Sequence, residues 1–384
     1  MSIVKYIGVD DPELDLFESQ YAVPEGMCYN SYLIEGSKIA IMDTVDPRKT
    51  DEWIQKLDSA LAGRKPDYLV VQHMEPDHSG SIAAVLARYP DLTVVCSAQA
   101  LKFMAQFNEG ISIKSQTVKE GDTLDLGNGA VLTFVSAPMV HWPEVMVTYL
   151  AKEETLFAAD GFGKFGVYGA DPDDWACEAR RYYFNICGKY GANVSALLKK
   201  ASALSIKKIC PLHGPVLEGD KLTEALRLYT IWSAYDVETP GGVLVAYASI
   251  HGNTKQAAER LAGMIKAQGA TKVAVADLCR DDMAEAIEDA FRMGAMVLAC
   301  ATYDGAIFPP MQQFLYKLSI KGYQRRRVGL MENGTWAPMA AKVMRASLEA
   351  MKDIEIVEPV VTLRSAMKQS DLTAMQALAE AITK

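Results

Sequence analysis

The sequence contains no Cys-x-x-Cys pair: its seven cysteines, Cys28, Cys96, Cys177, Cys187, Cys210, Cys279 and Cys300, are odd in number and scattered. That spacing excludes a disulfide framework and a cysteine-ligated zinc or iron site, and leaves buried thiols in a reducing compartment as the expectation. Long apolar runs are also missing. No stretch approaches the roughly 18 uncharged residues of a membrane-spanning helix, and Met1 to Val9 mixes Lys5 with short apolar pieces, so a soluble cytoplasmic protein without signal peptide or membrane contact is expected. Basic tracts are absent apart from Arg325-Arg326-Arg327, read as a solvated strand start. With a net charge of −9 the chain lacks the electrostatic footprint that nucleic acid requires. Histidine is scarce, five in 384 residues, which makes each position informative.

What is present is a globular composition, 50% hydrophobic against 23% charged, at a length that favours two or three domains. Thr239-Pro240-Gly241-Gly242 punctuates the chain after a helical run, and we divide it there into residues 1–240 and 241–384. The net charge splits into −11 before the cut and +2 after it. The second part alternates five apolar strands (VLVAYAS, TKVAVADL, AMVLACAT, RVGLMEN, IEIVEPVVTL) with five amphipathic helices. This pattern predicts a doubly wound parallel sheet, whose ligands sit at the carboxyl ends of the strands. The first part mixes strand-like runs and helices without regular alternation, and an α/β sandwich is expected.

His73-Met74-Glu75-Pro76-Asp77-His78 places four ligand-type side chains within six residues, immediately after the strand-like run YLVVQ. A single histidine is more often a hydrogen-bonded core or surface residue than a ligand, but four such groups after one buried strand point to a metal site. His141, Asp160 and His213 each follow another strand-like run. Four strand-end loops thus offer His73, Glu75, Asp77, His78, His141, Asp160 and His213. Four imidazoles with three carboxylates form a hard, anionic donor set suited to iron with open positions. A pair of metals roughly 3.5–4 Å apart needs a carboxylate touching both, and Asp160 is the choice for that bridge.

The H-x-E-x-D-H run followed by His141, Asp160 and His213, with PEGMCYNSYLIEG and DGFGKFG, resembles the metallo-β-lactamase-like fold and specifically its flavodiiron (A-type flavoprotein) branch. The resemblance implies an αββα sandwich in which one iron takes His73, Glu75 and His141 and the other Asp77, His78 and His213. Zinc enzymes of this fold commonly have a histidine where Glu75 stands.

In the second part, Ser249-Ile250-His251-Gly252-Asn253-Thr254 lies between the first strand and its helix. Hydroxyls at both ends, a glycine and a helix N-terminus make an anion cradle. It matches neither the dinucleotide nor the nucleoside-triphosphate glycine pattern. It resembles the flavodoxin phosphate loop, S/T-x-x-G-N-T, which implies FMN. His251 is read as a structural or phosphate-side residue, not a metal ligand. Two further strand ends, Ala301-Thr302-Tyr303-Asp304-Gly305 and Asn333-Gly334-Thr335-Trp336, then supply the walls of the flavin site, with Tyr303 and Trp336 as aromatic contacts.

Joining the two parts gives a flavin feeding a diiron site that reduces dioxygen, nitric oxide or both. The resemblance also implies a head-to-tail homodimer or a dimer of dimers. With no Cys-x-x-Cys in the sequence, a separate rubredoxin-like protein or a reduced deazaflavin is the expected electron donor. The alternatives are a dizinc hydrolase of the metallo-β-lactamase type with a flavodoxin-like accessory domain, and an electron-transfer module with a vestigial metal site.

Overall fold

The structure, a computed structural model, describes residues 2–170 and 174–384. It comprises two compact units, Met1–Thr230 and Ile231–Lys384. The boundary falls within the helix Gly219–Ser233. Pro240 therefore lies inside the second unit, near the start of the strand Thr239–Ala248, where its missing N–H costs little and the register shifts between Thr239 and Val243.

The first unit is built on two six-stranded sheets. One runs Val4–Tyr6, Tyr32–Glu35, Ile39–Met42, Tyr68–Val71, Thr93–Ser97 and Ser115–Val118, antiparallel at its start and parallel from Ile39–Met42 onward. The other runs Thr123–Asp125, Val131–Ser136, Met146–Leu150, Thr155–Phe157, Lys208–Cys210 and Leu217–Glu218. Its Thr155–Phe157 and Lys208–Cys210 strands pair in parallel, and its other pairs are antiparallel. The stretch from Thr93 to Val118 adds two strands and the helix Ala98–Phe107, elements that the sequence pattern had not marked.

Period-two alternation sends Tyr32, Ile34, Ala40, Met42 and Val70 of one sheet against Leu132, Phe134, Met146, Leu150 and Phe157 of the other. Each large side chain buried this way contributes about 1.5–3 kcal/mol, enough to fix the register of both sheets. Four loops that follow strands of these sheets carry the candidate ligands.

The second unit is a five-stranded parallel sheet in which the second strand in sequence, Lys272–Asp277, lies outside the first, Thr239–Ala248. Met293–Tyr303, Arg327–Asn333 and Glu355–Leu363 follow on the other side. Val243, Val245 and Tyr247 pack with the helices Asn253–Ala267 and Leu372–Ile382. The strands also contact Met283–Arg292, Pro309–Ile320 and Ala340–Glu349, so helices accompany the sheet throughout, as the alternation predicts.

One reading needs correction. Arg326 is not a solvated residue at a strand start: it is 3% exposed, and its guanidinium donates to the carbonyls of Met293 (2.8 Å), Tyr235 (2.9 Å), Asp236 (3.1 Å) and Phe291 (2.5 Å). A planar fork of N–H donors fits several converging carbonyls, and that convergence exists only in the folded unit.

All seven cysteines are free thiols; five are buried, Cys177 is half-buried and Cys279 exposed. Among the described residues no helix is long and apolar enough to cross a membrane.

Candidate functional site

The strand Tyr68–Val71 delivers His73 and Glu75 from the loop beyond it, and Asp77 and His78 from the short helix Pro76–Ser79. Proline at the first helical position turns the chain there without losing a needed N–H donor. His141 lies in the loop between Val131–Ser136 and Met146–Leu150, Asp160 beyond Thr155–Phe157, and His213 beyond Lys208–Cys210. Backbone bonds tie these loops together: Leu212 N–H donates to Ala159 O (2.8 Å), Met146 N–H to Gln72 O (3.2 Å) and Thr44 N–H to His78 O (3.0 Å).

The seven side chains converge as two groups, His73, Glu75, His141 and Asp160 in one and Asp77, His78 and His213 in the other. Asp160 joins them. Its Oδ2 lies 3.3 Å from His73 Nε2 and 3.0 Å from His141 Nε2, while Oδ1 lies 3.2 Å from His78 Nε2 and 3.8 Å from His213 Nε2. Glu75 Oε2 completes the first group at 3.2 Å from His73 Nε2 and 2.9 Å from His141 Nε2. Asp77 Oδ2 completes the second, 3.1 Å from His78 Nε2 and 3.2 Å from His213 Nε2.

These contacts suit metal ions better than hydrogen bonding. Both oxygens of Asp77 and Oδ1 of Asp160 are buried without an aligned hydrogen-bond donor, although imidazole nitrogens lie close by. His78 Nε2 and His213 Nε2 face each other at 3.0 Å. Lone pairs gathered on a shared space without donors are what a pair of cations would satisfy.

In the metal-free chain the same crowding raises the histidines and lowers the carboxylates. Burial pulls the His78 imidazole down, but Asp77 and Asp160 outweigh it and push it up to about 10. His141 is likewise lowered by burial yet pushed up to about 9 by its bonds to Asp160 and Glu75. Burial raises Asp160, but His73, His78 and His141 hold it well below the usual carboxylate range.

A cleft of about 370 Å³, lined in part by Glu18, Tyr29, Arg48, Glu75 and Asp77, reaches the carboxylates of both groups. It gives a small molecule a way to the Glu75 and Asp77 carboxylates.

In the second unit a cleft of about 600 Å³ opens at the carboxyl ends of the strands. It is lined by Ser249, Ile250, His251, Asn253 and Thr254, by Ala301 to Gly305, and by Asn333 to Trp336. Gly252 does not line it but caps the helix Asn253–Ala267 at φ +90°, a conformation that glycine adopts without strain. Ser249 Oγ accepts from Gly252 N–H at 3.1 Å, which closes the loop at the helix N-terminus. Tyr303 and Trp336 are exposed aromatics at this cleft, Trp336 at 87%. No lysine or arginine is among the lining residues, so a phosphate there would rest on N–H and hydroxyl donors. Volume, aromatic rims and anion cradle fit a flavin mononucleotide.

Comparison with known proteins bears on both sites. Residues 27–214 match the family model described as ODP family beta lactamase. The anaerobic nitric oxide reductase flavorubredoxin of Aliivibrio fischeri is 29% identical over 343 residues, covering 87% of this chain and 68% of that protein. The same-named protein of Escherichia coli (strain SMS-3-5) is 28% identical over 356 residues, covering 90% and 74%. The solved rubredoxin oxygen:oxidoreductase of Desulfovibrio gigas superposes with a TM-score of 0.92 at 25% identity, over 99% of this chain and 96% of that one. In sequence and in fold this chain is similar to flavodiiron oxidoreductases. A flavoprotein of Thermotoga maritima likewise matches this chain with a TM-score of 0.87 at 25% identity, over 98% and 94%.

Several residues at the two sites were not singled out from the sequence. Glu144 accepts from His73 Nδ1 at 2.9 Å, and the Cys28 carbonyl accepts from His213 Nδ1 at 2.7 Å. An acidic residue three positions after His141 was a usable signal for Glu144; a backbone carbonyl leaves none. Ala337, Met339 and Ser365 also line the flavin cleft. Ser365, bonded to Asn333 through both its N–H (3.0 Å) and its carbonyl (2.8 Å), follows the last strand, where the strand-end rule could have found it.

Proposed function

We propose that the protein reduces dioxygen to water, nitric oxide to nitrous oxide, or both. In this reading residues 1–240 hold two irons and residues 241–384 hold FMN. The observation that carries it is the division of Asp160, one oxygen toward each histidine group, in the same chain as a flavodoxin-like cleft. His73, Glu75 and His141 would hold one iron, Asp77, His78 and His213 the other, with Asp160 shared. Ser249, Asn253, Thr254 and the N–H groups of the Asn253–Ala267 helix would hold the FMN phosphate, and Tyr303 and Trp336 would flank its ring.

When bound, these groups supply two electrons from the reduced flavin and two from the ferrous pair, matching the four that carry dioxygen and four protons to two waters. Coupling two nitric oxide molecules with two protons to nitrous oxide and water consumes two. The protein's own contribution is positional. Buried imidazoles and carboxylates are fixed before substrate arrives, so little reorganisation is required at reaction.

The electron donor would be a rubredoxin-type protein or a reduced deazaflavin outside these 384 residues, since no Cys-x-x-Cys occurs within them. Names of the relatives, flavorubredoxin and rubredoxin oxygen:oxidoreductase, support the first of these. A head-to-tail homodimer, or a dimer of dimers, that brings one chain's flavin to its partner's metal site belongs to the same proposal, as does a cytoplasmic location.

The test is anaerobic purification with metal and flavin analysis, followed by stopped-flow oxidation of the four-electron-reduced protein by each gas. Two irons and one FMN per chain, with rapid oxidation by at least one gas, are expected. Two zinc ions and no FMN would overturn the reading in favour of the hydrolase.

A further inference from the structure

We propose that Glu144 is the positioning residue of the first metal group: it holds His73 in the tautomer that presents Nε2 to the metal. This rests on the reading of His73 as a metal ligand.

Neutral imidazole carries its proton on either nitrogen, and only the form protonated at Nδ1 leaves Nε2 a lone pair for a metal. Glu144 Oε1 accepts from His73 Nδ1 at 2.9 Å and from Met74 N–H at 2.9 Å. Because Oε1 takes the Met74 N–H, it stands as an acceptor toward the ring, which selects the Nδ1–H form and fixes the ring plane as well. The residue is 2% exposed and its side chain is buried, so this bond is not weakened by bulk water.

Glu144 is itself located by the opposite sheet. It sits in the loop between Val131–Ser136 and Met146–Leu150, yet its carbonyl accepts from Ser97 Oγ (3.0 Å) at the end of the strand Thr93–Ser97. The same Ser97 hydroxyl accepts from Ala100 N–H at 3.1 Å and so caps the helix Ala98–Phe107. The loop that carries His141 is thereby fastened to the sheet that carries His73.

The second carboxylate oxygen, Oε2, is buried and meets no donor among the described residues. Among the described residues no carboxylate stands behind the histidines of the second metal group: His213 Nδ1 donates to the neutral Cys28 carbonyl, and His78 Nδ1 meets no hydrogen-bond partner. Loss of Glu144 should therefore act on one group and spare the other.

The experiment is anaerobic equilibrium dialysis of the FMN-containing full chain against ferrous ion, for wild type, Glu144→Ala and Glu144→Gln, with FMN content and melting temperature as controls. Glu144→Leu replaces the alanine variant if the latter does not fold. Wild type should bind two irons. Glu144→Ala should keep one at unchanged affinity and bind the other at least tenfold more weakly, while Glu144→Gln, which retains an acceptor oxygen, should recover most of the loss. FMN content should not change. Two irons at wild-type affinity in Glu144→Ala would overturn the proposal, as would equal weakening of both irons in the alanine and glutamine variants. A wild-type chain that binds fewer than two irons overturns instead the metal reading beneath it.

Discussion

Asp160→Asn is the substitution whose consequence follows most directly from the geometry. The amide keeps the shape of the carboxylate but offers one acceptor oxygen, so it can serve either the His73–His141 group or the His78–His213 group, not both. Two unit charges about 4 Å apart interact by about 4 kcal/mol at an effective dielectric of 20. Asp160 oxygens lie within 3.3 Å of three of the four imidazole Nε2 atoms, so a cation held among them would lose an interaction of at least that order. Removing the shared negative charge should cost each iron about 4 kcal/mol, or about a thousandfold in affinity. Glu75→Gln and Asp77→Asn remove a charge from one group only, and each should leave the other iron in place. Iron and FMN are assayed together on anaerobically desalted protein. The expected pattern is two irons in wild type, one in each of Glu75→Gln and Asp77→Asn, and less than one in Asp160→Asn, with one FMN throughout. Two tightly held irons in Asp160→Asn would refute the bridging argument. So would a Glu75→Gln protein that empties both groups.

Three further outcomes are expected. In metal-free protein the raised His78 and His141 imidazoles, about 10 and about 9, stabilise the fold fully below the unfolded value of about 6.5 and lose that contribution as pH rises through 9 to 10; the lowered Asp77 and Asp160 lose theirs in acid. Calorimetry of the metal-free chain should therefore show a falling melting temperature from pH 8 to 10, and a rise would contradict the electrostatics. Thr254→Val removes a buried hydroxyl from the flavin cleft and should weaken FMN at least tenfold by fluorescence titration while leaving riboflavin, which lacks the phosphate, unchanged; equal loss for both ligands would place Thr254 elsewhere than at the phosphate. Arg326→Met strands the buried carbonyls of Met293 and Phe291 and frees the partly buried ones of Tyr235 and Asp236, and should destabilise the second unit by about 2–5 kcal/mol in urea unfolding followed by flavin fluorescence; a change under about 1 kcal/mol would show that water replaces the guanidinium.

The sites were legible in the sequence to the extent that their signals are local. His73, Glu75, Asp77 and His78 crowd one strand end, and Ser249 to Thr254 occupy one strand-to-helix turn; such spacing survives in a one-dimensional reading. The parallel sheet of the second unit followed from alternation, because parallel strands need helical crossovers; the order of its strands did not. Arg326 was misread because three adjacent arginines look solvated, and nothing local reveals that the middle one meets carbonyls from Tyr235, Asp236, Phe291 and Met293.

By itself the sequence determined the chemistry available: the number and type of metal-ligating groups, the anion loop, and the absence of a cysteine-ligated redox centre. Only the tertiary structure decided how those groups divide, which oxygen of Asp160 faces which histidines, and which nitrogen of each imidazole is left free. The carboxylate that orients His73 lies 71 residues away and the carbonyl that orients His213 lies 185 away. Contacts over such separations are set by the packing of two sheets against each other, whose buried faces fix the register and so the direction in which every strand-end loop points.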